Sequence, residues 1–177
     1  DVEGVLDYRY ESYRLYLTQP AVATDGSPPK QTAGRVTPGW VSIASFNVEN
    51  LSATSSREKI AGVAAQIATH LGGPALVALA EMQDDRGAID DGVTTADGSF
   101  GALVAAIEAA GGPAYRFVQI DPEDGADGGA PGANIRVGFL YDPLRVSFGI
   151  GSPQIGDATT AIGLDARGIL DLDAGRI

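Results

Sequence analysis

The stretch LVALAEMQDD, residues 76–85, interleaves Leu and Val with Ala as a buried strand does, then runs without a turn into Glu81, with Asp84 and Asp85 close behind. A core strand that ends in an acid asks what the acid is for. Upstream, WVSIASF, residues 40–46, is β-branched and aromatic with period two and is ended by the polar Asn47, which predicts a second strand. Between the two, Ser55-x-x-Glu58 has capping-box spacing, and Ile60, Val63, Ala64, Ile67 and Leu71 follow at helical intervals until Gly72, Gly73 and Pro74 stop the run. Strand, helix and strand in succession predict a βαβ crossover with the two strands parallel, so Asn47 and Glu81 arrive at one edge. In open α/β sheets, ligands collect beyond the carboxyl ends of parallel strands. Glu81 is therefore a candidate ligand for a hard cation, and the same spacing also suits a solvated acid or one paired with an arginine.

The remaining chain reads as follows. Residues 1–19 alternate aromatic or aliphatic with polar side chains and break near Glu11 and Ser12, predicting two short strands or one bulged strand. Residues 20–39 hold Pro20, Pro28, Pro29 and Pro38 without periodicity, the pattern of an extended linker, and the domain proper is placed at 40–177. A second amphipathic helix is predicted over 99–110 from Phe100, Leu103, Val104 and Ile107, closed by Gly111, Gly112 and Pro113. A strand over 115–120, an acidic Gly-rich loop over 121–134, and a hairpin of 135–141 with 144–148 turning at Asp142 and Pro143 complete the pattern. From Gly149 onward the periodicity fades.

Composition excludes several classes. A formal charge of -11 argues against a broad basic face holding nucleic acid passively, although carboxylate-held metal can supply positive charge locally. The absence of cysteine removes thiol catalysis and thiolate metal sites. No apolar run approaches the ~18–20 residues that span a bilayer, and the first residues have no signal-peptide pattern, so the leader of a secreted parent would lie upstream. Asp121, Glu123, Asp124 and Asp127 miss the spacing of a calcium-binding loop, and no Gly-rich phosphate-binding fingerprint occurs. Tyr8, Tyr10, Tyr13 and Tyr16 fit strand packing better than base stacking.

SFNVENL, residues 45–51, and ALVALAEMQD, residues 75–84, separated by one helix, resemble the opening of the endonuclease/exonuclease/phosphatase superfamily. YRFV, residues 115–118, and IRVGFLYDPLRV, residues 135–146, are similar to its next strands in order and spacing. The terminal DAGRI and GVLDYRYESYRL, residues 4–15, resemble segments of its secreted bacterial nuclease branch, where the latter follows an oligonucleotide-binding-fold-like module. The resemblance implies an α/β (α+β) fold, the four-layer deoxyribonuclease-I-like sandwich, incomplete here and preceded by the short β segment and the Pro/Gly linker.

Carried over by position, Asn47 matches the asparagine that helps arrange the phosphate and metal site, and Glu81 the glutamate that binds Mg²⁺, with Mn²⁺ or Ca²⁺ as substitutes. Arg136 matches a basic residue near the substrate, or is an ordinary strand-start or ion-pairing residue. A tyrosine that some members carry three positions earlier is Ala133 here. The histidine and aspartates that relatives take from the second half do not occur, and the one histidine, His70, falls in the last turn of the first helix as a structural residue. The expectation is thus the N-terminal portion of a secreted, metal-dependent nuclease acting on nucleic-acid phosphodiesters, nearly inactive alone. It would associate with no membrane, and with its C-terminal half or another copy. The same residues serve two alternatives: a phosphomonoesterase or lipid phosphodiesterase of the superfamily, or a non-catalytic extracellular binding module.

Overall fold

A computed structural model describes residues 2–22, 26, 29–34, 39–126, 129–147, 162–164 and 170–172. The chain divides into two compact units, Asp1–Lys30 and Gln31–Ile177. In the first, β1 (Gly4–Arg9) and β2 (Ser12–Leu17) form an antiparallel hairpin with Tyr8 opposite Tyr13. Its two-residue turn puts Tyr10 and Glu11 at φ 51° and 59°, the left-handed pair whose twist matches that of the flanking strands.

The second unit is mixed α and β. Its elements are β3 (Ile43–Leu51), α1 (Arg57–Ala65) continuing as a π-helical turn over Gln66–His70, β4 (Leu76–Met82), α2 (Asp97–Ala109), β5 (Arg116–Gln119) and β6 (Arg136–Tyr141), followed by the short β7 (Ile162–Leu164) and β8 (Leu170–Leu172). A four-stranded sheet has the order β3-β4-β6-β5: β3 and β4 run parallel, and β6 is antiparallel to both its neighbours. Among the described residues, β7 and β8 pair with each other.

Residues paired across a sheet point to the same face. One face carries Val48, Val77, Leu79 and Leu140, which pack with Val63 of α1, Ile67 of the π turn, and Phe100, Leu103 and Ile107 of α2 into a single core. The opposite face stays open: Ile43, Val137 and Phe139 are 70%, 59% and 38% exposed. Gly138 lies at the centre of the covered face because Phe100 presses on it; an added Cβ would come within 2.8 Å of the Phe100 Cε1. The same ring stacks on Phe117 with centroids 5.2 Å apart.

Several boundaries differ from the sequence expectation. β3 does not end at Asn47 but continues to Leu51, and the strand read over 75–80 extends as β4 through Glu81 to Met82. Ser56 rather than Ser55 caps α1, accepting from the Lys59 amide, while the Ser55 hydroxyl turns back to accept from Ser52 N. The expected partner strand after Asp142 is not formed over the described residues 143–147. Asp142 closes a turn instead, its carbonyl taking both Arg145 N and Val146 N and its carboxylate taking Leu144 N. Phe148, the DAGRI end and part of the linker lie outside the described residues. No helix among the described residues is long and apolar enough to cross a membrane.

Tyr115, buried between the end of α2 and the sheet, donates its hydroxyl to Pro74 O. Burial, reinforced by Asp142, raises its pKa well above the ordinary tyrosine range. The closest helix–sheet contact gives a direct test. Gly138→Ala should cost about 1–3 kcal/mol by overpacking against Phe100, read as a lowered denaturation midpoint. An unchanged midpoint would show that the Phe100 ring yields freely.

Candidate functional site at the ends of the parallel strands

Strict alternation along β4 would send Glu81 into the core beside Leu79. The ladder prevents it. Leu79 pairs with Gly138 and Met82 with Arg136, so Ala80 and Glu81 together oppose the single Val137, which is a β-bulge. Across the other edge, Asn47 pairs with Ala80 and Leu51 with Met82, leaving Val48, Glu49 and Asn50 against Glu81. The extra residues are accommodated by left-handed backbone at Glu81, Glu49 and Asn50, with φ 61°, 55° and 57°. None of these is glycine, and such conformations cost on the order of 1–3 kcal/mol each.

The bulge frees Glu81 from the core face and brings it to Asn47, whose Nδ2 donates to Glu81 Oε1 at 2.6 Å. Asn47 Oδ1 in turn accepts Glu49 N at 2.8 Å, and Lys59 Nζ donates to Glu49 O. Met82 and Leu51 return to the core, both fully buried. The core therefore loses nothing by the detour. An open groove of about 550 Å³ begins beside Glu81 and runs over Ala80, Val118, Val137 and Phe139.

The other acids of the opening stretch have structural work. Asp84 is fully buried: Oδ1 accepts Arg86 N at 2.8 Å and Oδ2 accepts Asn134 Nδ2 at 3.1 Å. Asp85 Oδ1 accepts Ser99 N at 2.7 Å in the first turn of α2, standing in for the side-chain cap that Ala96 cannot provide. Asn134, left-handed at φ 44°, ties three segments: its Nδ2 faces Val93 O at 2.8 Å and the Asp124 carboxylate at 3.1 Å, and its Oδ1 accepts Gly125 N.

Arg136 shows the same clamping role. Nε and Nη2 donate to Asn134 O, Nη2 also to Thr94 O, and Nη1 to Gln119 Oε1 at 2.9 Å and Asp121 Oδ1 at 2.7 Å. Its side chain is 3% exposed against 45% for Asp121. Burial lowers its pKa from the usual guanidinium value, opposed by Asp121 first and then by Asp84 and Asp85. The five N–H groups of a guanidinium are all engaged. Arg136 thus heads β6 as an ion-pairing residue, and it also lines the groove beside Glu81.

His70 ends the π turn, roughly 20 Å from the start of α1 at about 1.5 Å per residue, with Nδ1 buried and unpartnered. Ala133 is fully buried, and its carbonyl accepts Asp84 N. Among the described residues no group of three or more His, Asp or Glu side chains gathers into a metal-binding cluster. The structure thus bonds Asn47 to Glu81, while Arg136, held in its own hydrogen-bond network, lines the same groove as Glu81. Sequence reasoning missed Asp84, Asn134 and Lys59; the Asn after a Gly-rich loop was the one available signal, since Asn tolerates left-handed backbone.

No protein-family model matches this chain, and no curated protein or solved structure matches it either.

Two outcomes follow from this geometry. Glu81→Gly should raise stability, by up to about 1 kcal/mol after loss of the Asn47 bond, because glycine adopts positive φ without strain; a destabilised variant would show that Glu81 is held there for packing. Arg136→Ala should cost about 2–4 kcal/mol, since Thr94 O and Asn134 O lose their donor while Asp121 falls back on water. Hydrogen exchange should then quicken over 84–97 and 120–135, and unchanged exchange there would remove the clamp.

Proposed function

We propose that this chain carries the Glu81–Asn47 corner of a divalent-metal-dependent phosphodiester hydrolase, in the first instance a secreted nuclease. The observation that supports it is the bulge: backbone strain at three neighbouring residues places one carboxylate and one carboxamide together at the ends of two parallel strands. Local strain concentrates at functional sites, and the C-terminal edge of parallel strands is where α/β sheets bind ligands. The reading carries with it the four-layer sandwich, in which a second sheet would lie against the open face of Ile43, Val137 and Phe139.

The donor set fits Mg²⁺ in a limited way. Mg²⁺ is commonly held by one or two carboxylates together with water and substrate phosphate, and Glu81 supplies one carboxylate whose Oε1 is fixed by Asn47. No described cluster would hold the ion tightly by itself. When bound, the metal would supply positive charge to a phosphate oxygen. Glu81 would hold the ion, and Asn47 orients the carboxylate. The single histidine of the sequence is His70, at the opposite end of the α1–π helix from Lys59, and turnover by this chain alone should be close to background.

A phosphomonoesterase or lipid phosphodiesterase would use the same pair, and a non-catalytic binding module would use neither residue. Mn²⁺ titration followed by water-proton relaxation separates the last from the first two. Glu81→Gln should weaken binding about tenfold, the worth of a charge-assisted contact, while His70→Gln leaves it unchanged. Wild-type affinity in Glu81→Gln would end the metal reading.

A further inference from the structure

Lys59 stands in the first turn of α1, its amide capped by the Ser56 hydroxyl. A capping box has Glu or Gln at that position, reaching back to the cap residue. A cation there faces the positive end of the helix dipole and is disfavoured. The half-buried Lys59 side chain reaches instead to the carbonyl of Glu49. Glu49 is one of the two left-handed residues of the β3 bulge, and its own amide donates to Asn47 Oδ1 at 2.8 Å. Asn47 Nδ2 then meets Glu81 Oε1 at 2.6 Å. A continuous chain of contacts runs from the ammonium through the carbonyl and amide of one left-handed residue, and then the carboxamide, to the carboxylate.

We infer that Lys59 is a positioning residue for the Asn47–Glu81 pair, fixing the Glu49 backbone so that Asn47 presents its amide to Glu81. The inference rests on Glu81 being the metal ligand of the proposed function. Lys59 does not itself reach the carboxylate. Its ammonium offsets the carbonyl dipole of a residue in unfavourable backbone, and that contact selects the bulged arrangement over a relaxed strand end. Removing it should let Asn47 swing without opening the core, because Val48 and Leu51 are anchored there independently.

The test compares Lys59→Met and Lys59→Arg with the wild-type chain, reading the Asn47 side-chain amide by ¹H–¹⁵N NMR alongside Mn²⁺ affinity. In Lys59→Met the Asn47 Nδ2 protons should shift and exchange faster, Mn²⁺ binding should weaken about three- to tenfold, and Lys59→Arg should restore both. Asn47 signals unmoved in a folded Lys59→Met variant would overturn the inference, as would arginine failing to restore them. If Lys59→Met does not fold, Lys59→Gln takes its place in the same comparison. A wild-type chain that binds no Mn²⁺ sinks the metal reading alone; the Asn47 amide then decides on Lys59 by itself.

Discussion

The bulge that sets Ala80 and Glu81 against Val137 is the constraint on which the rest of the second unit depends. A strand has a side-chain period of two, so one inserted residue exchanges the faces of everything beyond it. Without the insertion Glu81 would enter the core and Met82 would leave it. With it, Val77, Leu79 and Met82 all remain fully buried while an acid emerges on the open face. The matching irregularity in β3 keeps Leu51 paired with Met82, so both parallel strands recover their core register after the detour. Two adjacent strands that deviate at the same level constrain each other, and the left-handed backbone persists because the flanking pairs over-determine it.

Downstream of the bulge the chain is held by polar contacts rather than apolar packing. Asp84, Asn134 and Arg136 are buried, and each makes several hydrogen bonds to loops that carry few large side chains. Buried polar groups are tolerable only when so satisfied. These loops are rich in Gly and Asp, which bury little apolar surface, and backbone carbonyls such as Thr94 O and Asn134 O need donors. A guanidinium supplies five at once in a fixed fork. Arg136 meets that demand with four partners, and it also lines the groove that begins beside Glu81.

The parallel β3–α1–β4 unit was legible because each of its parts repeats one signal: apolar periodicity, then a stop, then apolar periodicity again. The meeting of Asn47 and Glu81 was legible too, since it follows from parallel strands ending at one edge. What the sequence could not show was the means. A bulge is one residue of register, and nothing in the run LVALAEM marks which residue is surplus; the pairing with Val137 decides it. Ser55 and Ser56 offered two caps one residue apart, and the choice turned on Ser55 being taken by Ser52 N. The run LRVSF alternates well enough for a strand, yet Asp142 accepts three amides with its carbonyl and carboxylate and turns the chain away first. Arg136 looked available in the sequence because its partners Thr94, Gln119 and Asp121 come from distant parts of the chain.

The case for the site rests on what a solvated acid would not require. An acid at a strand end with no role can sit in ordinary extended backbone and face water, at no cost in φ. Glu81 is instead left-handed, half-buried and bonded at 2.6 Å to a carboxamide that is itself held by a second left-handed residue. Left-handed backbone at the two glutamates costs on the order of 1–3 kcal/mol each, with Asn50 adding less because asparagine tolerates that conformation, a large fraction of the stability of a small domain. The insertion keeps Leu51 and Met82 in the core register, while the side chains of Glu81, Glu49 and Asn50 lie off the core. Left-handed backbone concentrated where two parallel strands end is the observation behind the binding role proposed for Glu81 and Asn47. A single carboxylate so placed is also a weak site until a ligand contributes donors of its own, which is how a phosphate and its metal would arrive together.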